Sequence, residues 1–160
     1  MLTRRTLLAR IAAGAAISAT RLGRAAAAAD TFPVVHTDAQ WHQRLSSAQY
    51  AVLRESATEE PFSSPLLNEH RRGTFLCAGC DQALFSSATK FESGTGWPSF
   101  WTPLPHAVGT RTDRSFGMVR TEVYCSRCGG HLGHVFDDGP PPTGLRYCMN
   151  GLALKFRSAS

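Results

Sequence analysis

Two stretches, CAGCDQAL at residues 77–84 and CSRCGGHL at residues 125–132, decide how this chain folds. Each begins with a C-x-x-C pair, whose two intervening residues turn the chain so that both sulfurs face one ion. Four thiolates complete a tetrahedral shell without an open position for water, which predicts a single structural zinc ion. The 44 residues between the pairs exceed a compact zinc ribbon, so the metal would hold together two distant hairpins. The predicted ligands are Cys77, Cys80, Cys125 and Cys128.

Other fates for these cysteines are a disulfide within each pair, a redox C-x-x-C, or four-thiolate iron. A redox pair would more naturally occur once, near a β-α-β pattern, and no such pattern is present. Iron accepts the same ligands, but zinc is favoured. About 130 residues bury roughly two thirds of their unfolded surface, so the fold does not require disulfides.

The rest of the chain predicts a mainly β (α+β) fold: antiparallel β-sheets stapled by the zinc site, with short N-terminal helices. From Thr74 onward, short alternating runs such as TFLC, FGMVRTEVYC and LRYCMNGLALKF are separated by Gly, Pro, Ser and Asp, as in strands. GPPPTG at 139–144 must be a loop. Apolar residues recur at helical spacing between Thr37 and about Glu55, with Ser46-Ser47 as a break. Residues 57–73 predict an ordered loop with a short helical turn.

Residues 1–29 differ from the rest, with five arginines and no acidic residue. Arg4 and Arg5 precede a Gly/Ala-rich apolar run and then AAAAAD, the order of a secretory signal, and the arginine pair indicates twin-arginine export. We therefore divide the chain into a signal peptide at 1–29 and one domain at 30–160, located in the periplasm or otherwise exported. A mitochondrial or other organellar transit peptide and a surface amphipathic helix are the alternatives.

Removal of that segment leaves 17 − 5 = 12 basic side chains against 12 acidic ones. The basic character therefore belongs to the signal and does not indicate a nucleic-acid partner. We expect no nucleic acid, no stable membrane association and a monomer. Twin-arginine machinery carries folded proteins, so a metal could load in the reducing cytoplasm before export.

The fifth cysteine, Cys148, lies in RYCMN at 146–150. Strand alternation places Arg146, Cys148 and Asn150 on one face. A guanidinium beside a thiol favours the nucleophilic thiolate. The alternative is an inert buried cysteine, which is the commoner case, although a buried arginine is costly unless it is paired.

Two further groups are candidates for chemistry. HLGHVFDD at 131–138 offers His131, His134 and two aspartates, and histidines serve as acids or bases near neutral pH; structural histidines are the alternative. SGTGWPSFW at 93–101 offers an aromatic wall of Trp97, Phe100 and Trp101 for a small apolar group, unless these rings fill the core.

From about Ala39 to Phe156 the chain resembles the B-type methionine sulfoxide reductases. The resemblance rests on YAVLRESATEEPF, on GTFLCAGCDQALFSSATKFESGTGWPSF, on EVYCSRCGGHLGHVFDDGP and on RYCMNGLALKF, in the family order. It implies reduction of methionine-R-sulfoxide, chiefly in proteins, which reverses one oxidative lesion. A binding module for peptides or nucleic acid and a zinc-stapled structural domain of a larger envelope assembly are the competing interpretations.

The same resemblance implies roles for individual residues. Cys148 matches the cysteine that attacks the sulfoxide sulfur and becomes a sulfenic acid. His131, His134, Asp138 and Arg146 match polar active-site positions, and either histidine could supply the proton. Trp97 matches the tryptophan that closes the pocket around the substrate's methyl group, and Asn150 matches a position typical of the cysteine-dependent forms. Together with the aromatic wall, this predicts Trp97, Phe100 and Asn150 as substrate-binding residues. The four other cysteines match an optional zinc site.

One departure concerns the recycling step. Many relatives carry a recycling cysteine where this chain has Thr95. With four cysteines on zinc, Cys148 would have no internal thiol partner. We therefore predict a one-cysteine cycle, in which a thioredoxin-like domain or a small thiol attacks the sulfenic acid directly.

Overall fold

The computed structural model describes residues 31–159; the predicted signal segment lies outside the described residues. Two short helices, α1 (Asp38–Arg44) and α2 (Ser47–Glu55), open this part of the chain. Ser46 produces the predicted break, because its hydroxyl accepts from the Gln49 N–H while the Gln49 side chain accepts from the Ser46 N–H, a reciprocal cap that begins a new helix. No helix among residues 31–159 has the length and hydrophobicity to cross a bilayer.

Within residues 31–159, nine strands form two sheets, and both are antiparallel, as the sequence predicted. The small sheet has the order β2-β1-β9 and the large sheet the order β3-β4-β8-β7-β6-β5. The loop between α2 and β1, residues 57–72, contains one short 3₁₀ turn, Pro65–Asn68, and GPPPTG lies in the β7–β8 loop. The strands are β1 (Gly73–Cys77), β2 (Ala83–Ser86), β3 (Lys90–Phe91), β4 (Ser99–Phe100), β5 (Val108–Asp113), β6 (Arg120–Cys125), β7 (His131–Phe136), β8 (Arg146–Met149) and β9 (Leu154–Ser158).

The hydrophobic core lies between the two sheets. Phe100 of the large sheet stacks on Phe85 of the small sheet, with ring centroids 4.3 Å apart, and meets Phe75 edge-on at 4.9 Å. Buried aromatic pairs of this kind add to the free energy of burial. Trp41 of α1 and Val52 of α2 extend the same core, so both sheets and both helices share one interior.

A close approach between β7 and β8 depends on a glycine. A Cβ at Gly133 would lie 2.1 Å from the Cys148 carbonyl oxygen. Only glycine therefore lets the two strands pair at this point, which keeps His134 and Cys148 on neighbouring strands in register.

Candidate active site and metal centre

The four paired cysteines converge at one point between the sheets. Their sulfurs lie within 4.8 Å of one another, with 3.7 Å between Cys77 and Cys128 and 3.6 Å between Cys80 and Cys125. Tetrahedral thiolates bonded at about 2.3 Å to one ion are roughly 3.8 Å apart, so this donor set fits a four-coordinate metal. Cys77 ends β1 and Cys125 ends β6, so such an ion would link the two sheets.

Cys148 belongs to a row of side chains that crosses the large sheet. It pairs with Ser99 on β4 and with His134 on β7, and His134 pairs in turn with Glu122 on β6. Paired residues of antiparallel strands project from the same face. We call Ser99, Cys148, His134 and Glu122 the polar row.

Phe100 lies on the opposite face, which corrects its predicted role. It follows Ser99 and pairs with Tyr147, so alternation along β4 turns its ring away from Cys148. The ring is fully buried in the core. The aromatic wall predicted from SGTGWPSFW is therefore divided: Phe100 fills core, whereas Trp97 lines the cavity.

A small cavity of about 120 Å³ opens above the polar row. Trp97 and Phe136 contribute aromatic surface to it, and Cys148 and His134 contribute polar atoms. His131 does not line this cavity; its ring lies 5.4 Å from that of His134, centroid to centroid. The structure thus brings together Cys148, His134, Trp97 and Asn150 of the predicted site. The remaining lining residues are Thr58, Arg120 and Gly133.

His134 is held by a carboxylate that the sequence did not reveal. Its Nε2 lies 2.9 Å from Asp113 Oδ2, and Arg120 donates to the same oxygen. The Ser115 N–H is the largest influence that lowers the pKa of Asp113, with the His134 bond adding to it, so Asp113 is ionised and Nε2–H donates. Burial lowers the pKa of His134, and the Asp113 hydrogen bond opposes that shift. A neutral ring therefore keeps Nδ1 unprotonated.

His131 has a carboxylate partner of its own. Its Nδ1 lies 2.8 Å from Glu122 Oε1, and Arg111 also donates to Glu122. Burial opposes ionisation of Glu122, but the bonds from His131 and Arg111 outweigh it and lower the pKa to about 2. The buried His131 Nε2 has no hydrogen-bond partner among the described residues.

Arg146 and Asp138 form one unit beside Cys148. Two parallel hydrogen bonds of 2.8 Å join the guanidinium to the carboxylate, and the guanidinium covers the Phe136 ring at 4.4 Å. The Asp138 bonds are the main cause that raises the pKa of Arg146, and the charge of Cys148 adds to it. The Asp138 carboxylate therefore holds the Arg146 guanidinium in place.

Glu59 is another site residue that the sequence analysis did not identify. Its carboxylate accepts from the backbone N–H groups of Gly151 and Leu152, its carbonyl accepts from Trp97 Nε1, and its N–H donates to Asn150 Oδ1. It therefore fastens two cavity residues to one loop. A glutamate in a loop is usually solvated, so nothing in the sequence except its place in the TEEPF stretch pointed to Glu59.

Asn150 lines the cavity, although its amide is already engaged. Oδ1 accepts from Glu59 and Nδ2 donates to the Leu132 carbonyl at 3.1 Å. A buried amide with both groups satisfied holds its surroundings rigid. Its observed contacts thus position the cavity wall, and a substrate contact for Asn150 stays a prediction.

Comparison with known proteins identifies the class. A family model described as the SelR domain matches residues 45–158, nearly all of the part that the structure describes. This match assigns the chain to the family of SelR-domain proteins.

Individual relatives agree with that class. A protein named peptide methionine sulfoxide reductase MsrB from Bradyrhizobium diazoefficiens is 58% identical over 123 residues, which cover 76% of this chain and 88% of the relative. One of the same name from Agrobacterium fabrum is 54% identical over 128 residues, with 79% and 95% covered. A third, from Thiobacillus denitrificans, is 58% identical over 121 residues, with 75% and 92% covered. The chain belongs to the MsrB family and is an enzyme that reduces methionine sulfoxide.

Proposed function

We propose that this enzyme reduces methionine-R-sulfoxide in oxidised proteins, with Cys148 as nucleophile and His134 as acid. The observation that carries the proposal is the register pairing of Cys148 with His134 beneath a cavity walled by Trp97. A sulfoxide oxygen leaves poorly until it is protonated, so a nucleophile and an acid must face the same small group. A preference for the R epimer is supported by the family membership.

The first step transfers the sulfoxide oxygen to Cys148. The Cys148 thiolate attacks the sulfoxide sulfur, a proton reaches the sulfoxide oxygen, and the S–O bond breaks. The sulfur–sulfur bond formed in this attack then breaks when the released hydroxide attacks the Cys148 sulfur, so that Cys148 becomes a sulfenic acid and methionine leaves. His134 reaches the cavity with Nδ1, since Nε2 is bonded to Asp113, and it donates when the ring is protonated. Asp138 holds the positively charged Arg146 guanidinium beside the thiolate.

A polypeptide substrate is supported by the surroundings of the cavity. Phe116, 87% exposed, lines the adjoining depression that shares His134 with the cavity, and Phe62, 70% exposed, lies beyond Trp97 on the other side. Exposed apolar side chains around a concave site commonly mark a binding surface. They offer contacts to residues that flank the oxidised methionine.

Removal of the thiol tests the nucleophile. Cys148→Ser should abolish methionine formation from a methionine-R-sulfoxide peptide with dithiothreitol, while metal content and circular dichroism stay unchanged. The peptide with the S epimer is the matched substrate control. Normal turnover by Cys148→Ser would refute the assignment.

The recycling step is proposed to use one cysteine. Among the described residues, the other four cysteines lie together in one cluster, and Thr95 Oγ1 lies 3.7 Å from the Cys148 sulfur. An external thiol, from a thioredoxin-like domain or a small molecule, condenses with the sulfenic acid to a mixed disulfide and water; a second thiol then restores Cys148. After one equivalent of substrate, intact mass should show a dimedone adduct on Cys148. A disulfide to any cluster cysteine would contradict this cycle.

The metal is proposed to be one structural zinc ion, held by Cys77, Cys80, Cys125 and Cys128. Four thiolates close its coordination shell, so it stabilises the link between the sheets and takes no part in the reaction. Metal analysis of the purified enzyme should give one zinc per chain. A stoichiometric iron content would overturn the choice of metal.

Export through the twin-arginine machinery is proposed from Arg4 and Arg5 and places the enzyme in the bacterial periplasm. Replacement of both by lysine should leave uncleaved precursor in the cytoplasm. Unchanged processing would indicate another export route or an organellar transit peptide.

A further inference from the structure

A chain of three hydroxyl groups leads away from the Cys148 sulfur on the side opposite the histidines. Thr95 Oγ1 lies 3.7 Å from the sulfur, Ser93 Oγ lies 2.9 Å from Thr95 Oγ1, and Ser99 Oγ lies 2.7 Å from Ser93 Oγ. Ser99, 1% exposed, also reaches the Trp97 carbonyl at 3.2 Å. We call Thr95, Ser93 and Ser99 the hydroxyl chain.

The direction of these bonds follows from proton counting. Each hydroxyl has one proton to donate. If Ser99 donates to the Trp97 carbonyl, then Ser93 donates to Ser99 and Thr95 donates to Ser93. Thr95 is then left as an acceptor, which suits a protonated Cys148 thiol.

A thiolate has no proton to donate, so Thr95 stays bonded to the sulfur only if the direction of the hydroxyl chain reverses when Cys148 ionises. Thr95 then donates to sulfur, Ser93 donates to Thr95 and Ser99 donates to Ser93, and Ser99 gives up its bond to the Trp97 carbonyl. Ser93 Oγ also accepts from the Thr95 N–H at 3.4 Å in either direction. Hydrogen bonds arranged in series polarise one another, so the terminal donor is stronger than an isolated hydroxyl.

We propose that the hydroxyl chain is a reversible donor to Cys148, with Thr95 as the positioning residue that stabilises the thiolate and then the sulfenic acid. This rests on the proposed role of Cys148 as nucleophile. In a one-cysteine cycle the sulfenic acid must persist until an external thiol arrives, and a hydroxyl at this position can accept its proton. The hydroxyl chain thus stands where many relatives carry a second thiol, and it preserves the sulfenic acid of Cys148.

Other charged or titratable groups also face the sulfur. His134 is its register partner on β7, Arg146 lies two residues earlier on β8, and Arg120 lines the same cavity. A test must therefore alter hydroxyls alone. Thr95→Val removes the donor with almost no change of shape, and Thr95→Ser keeps it. Ser93→Ala interrupts the chain one link away from Cys148.

The experiment measures alkylation of Cys148 by iodoacetamide in the metal-loaded full enzyme. At pH 7 we expect Thr95→Val to react about tenfold more slowly, in line with the loss of a hydrogen bond to a charged group, and Thr95→Ser within about twofold of the parent. Ser93→Ala should be roughly threefold slower, and the double variant no slower than Thr95→Val alone, because linked groups are not additive. At pH 10 the differences should vanish.

Thr110→Val, an exposed threonine on β5, serves as the control and should match the parent. Equal rates for Thr95→Val and the parent at pH 7, or multiplicative effects in the double variant, would overturn the proposal. A slow rate that persists at pH 10 would do so too, since it would indicate blocked access. The dimedone-reactive lifetime after one turnover should shorten in Thr95→Val; an unchanged lifetime would refute the sulfenic-acid part. Cys148→Ser separates the outcomes, because its failure to stop turnover rejects the nucleophile itself.

Discussion

Cys148 and His134 are Cα partners on adjacent antiparallel strands, 14 residues apart in sequence. Their side chains rise from one face of the large sheet into one cavity, whereas His131 lies behind His134. This placement separates two histidines that the sequence motif presents as equivalent.

The pairing predicts a strong effect of His134→Asn on the first chemical step. The rate of methionine formation in a single turnover should fall by about 10² to 10⁴, the usual contribution of a positioned acid. Rapid-quench measurement with a peptide substrate gives this rate. Iodoacetamide reactivity of Cys148 reports whether the thiol is still accessible. A loss below about fivefold would assign the proton to another group.

The pH dependence of that step should follow His134. Burial lowers the pKa of His134 from its ordinary value of 6.5, so its acid form is lost as pH rises through a value below 6.5. Asp113 raises this pKa. Asp113→Asn should therefore move the descending limb of kcat/KM to still lower pH, as measured from pH 4.5 to 8. Asp38→Asn, in α1, is the control; a limb that moves upward would contradict the assignment.

Glu122 should make stability depend on pH in acid. In the folded protein the pKa of Glu122 is about 2, below the ordinary 4.5. Its contribution to the free energy of unfolding is therefore fully present above pH 4.5 and is lost as the pH falls towards 2. At about 1.4 kcal/mol per pKa unit, Glu122→Gln should lower the free energy of unfolding by up to about 3 kcal/mol at pH 7, and by less at pH 3. Urea unfolding at both pH values measures this. The exposed Glu60→Gln should show no such difference.

Loss of the metal should lower the thermal stability of the protein, because the proposed ion links the two sheets. Cys125→Ser removes one ligand at the end of β6. We expect this variant to lose about 3 kcal/mol of unfolding free energy, which lowers Tm by roughly 10 °C in a domain of this size. Calorimetry and metal analysis on the same sample check the prediction. Retention of both Tm and full metal content would show that three thiolates suffice.

The exposed phenylalanine beside the cavity should matter for peptides only. Phe116→Ser should raise KM for a methionine-sulfoxide peptide several-fold, because flanking apolar contacts are lost, and leave KM for N-acetylmethionine sulfoxide unchanged. Val35→Ser, 78% exposed and not among the cavity residues, is the matched control. Equal effects on both substrates would place Phe116 in the catalytic cavity itself.

Much of the fold was accessible from local patterns. The Ser46 break between the helices, the β strands after Thr74 and the convergence of two C-x-x-C pairs depend on caps, alternation and spacing within a few residues. Alternation within β8 likewise placed Arg146 and Cys148 on one face. These features depend on neighbouring residues, for which the local backbone geometry determines the direction of each side chain.

The tertiary structure decided which distant side chains meet. The register of β4, β8, β7 and β6 put His134 beside Cys148. It also turned Phe100 into the core, because Phe100 follows Ser99, the β4 partner of Cys148, and so points to the opposite face. It also brought Glu59 to Trp97 and Asn150, across 38 and 91 residues of chain. By itself the sequence determined the strands, the set of four paired cysteines and the solitary thiol. Only strand pairing, which depends on how the two sheets bury their apolar faces together, decided which groups surround that thiol.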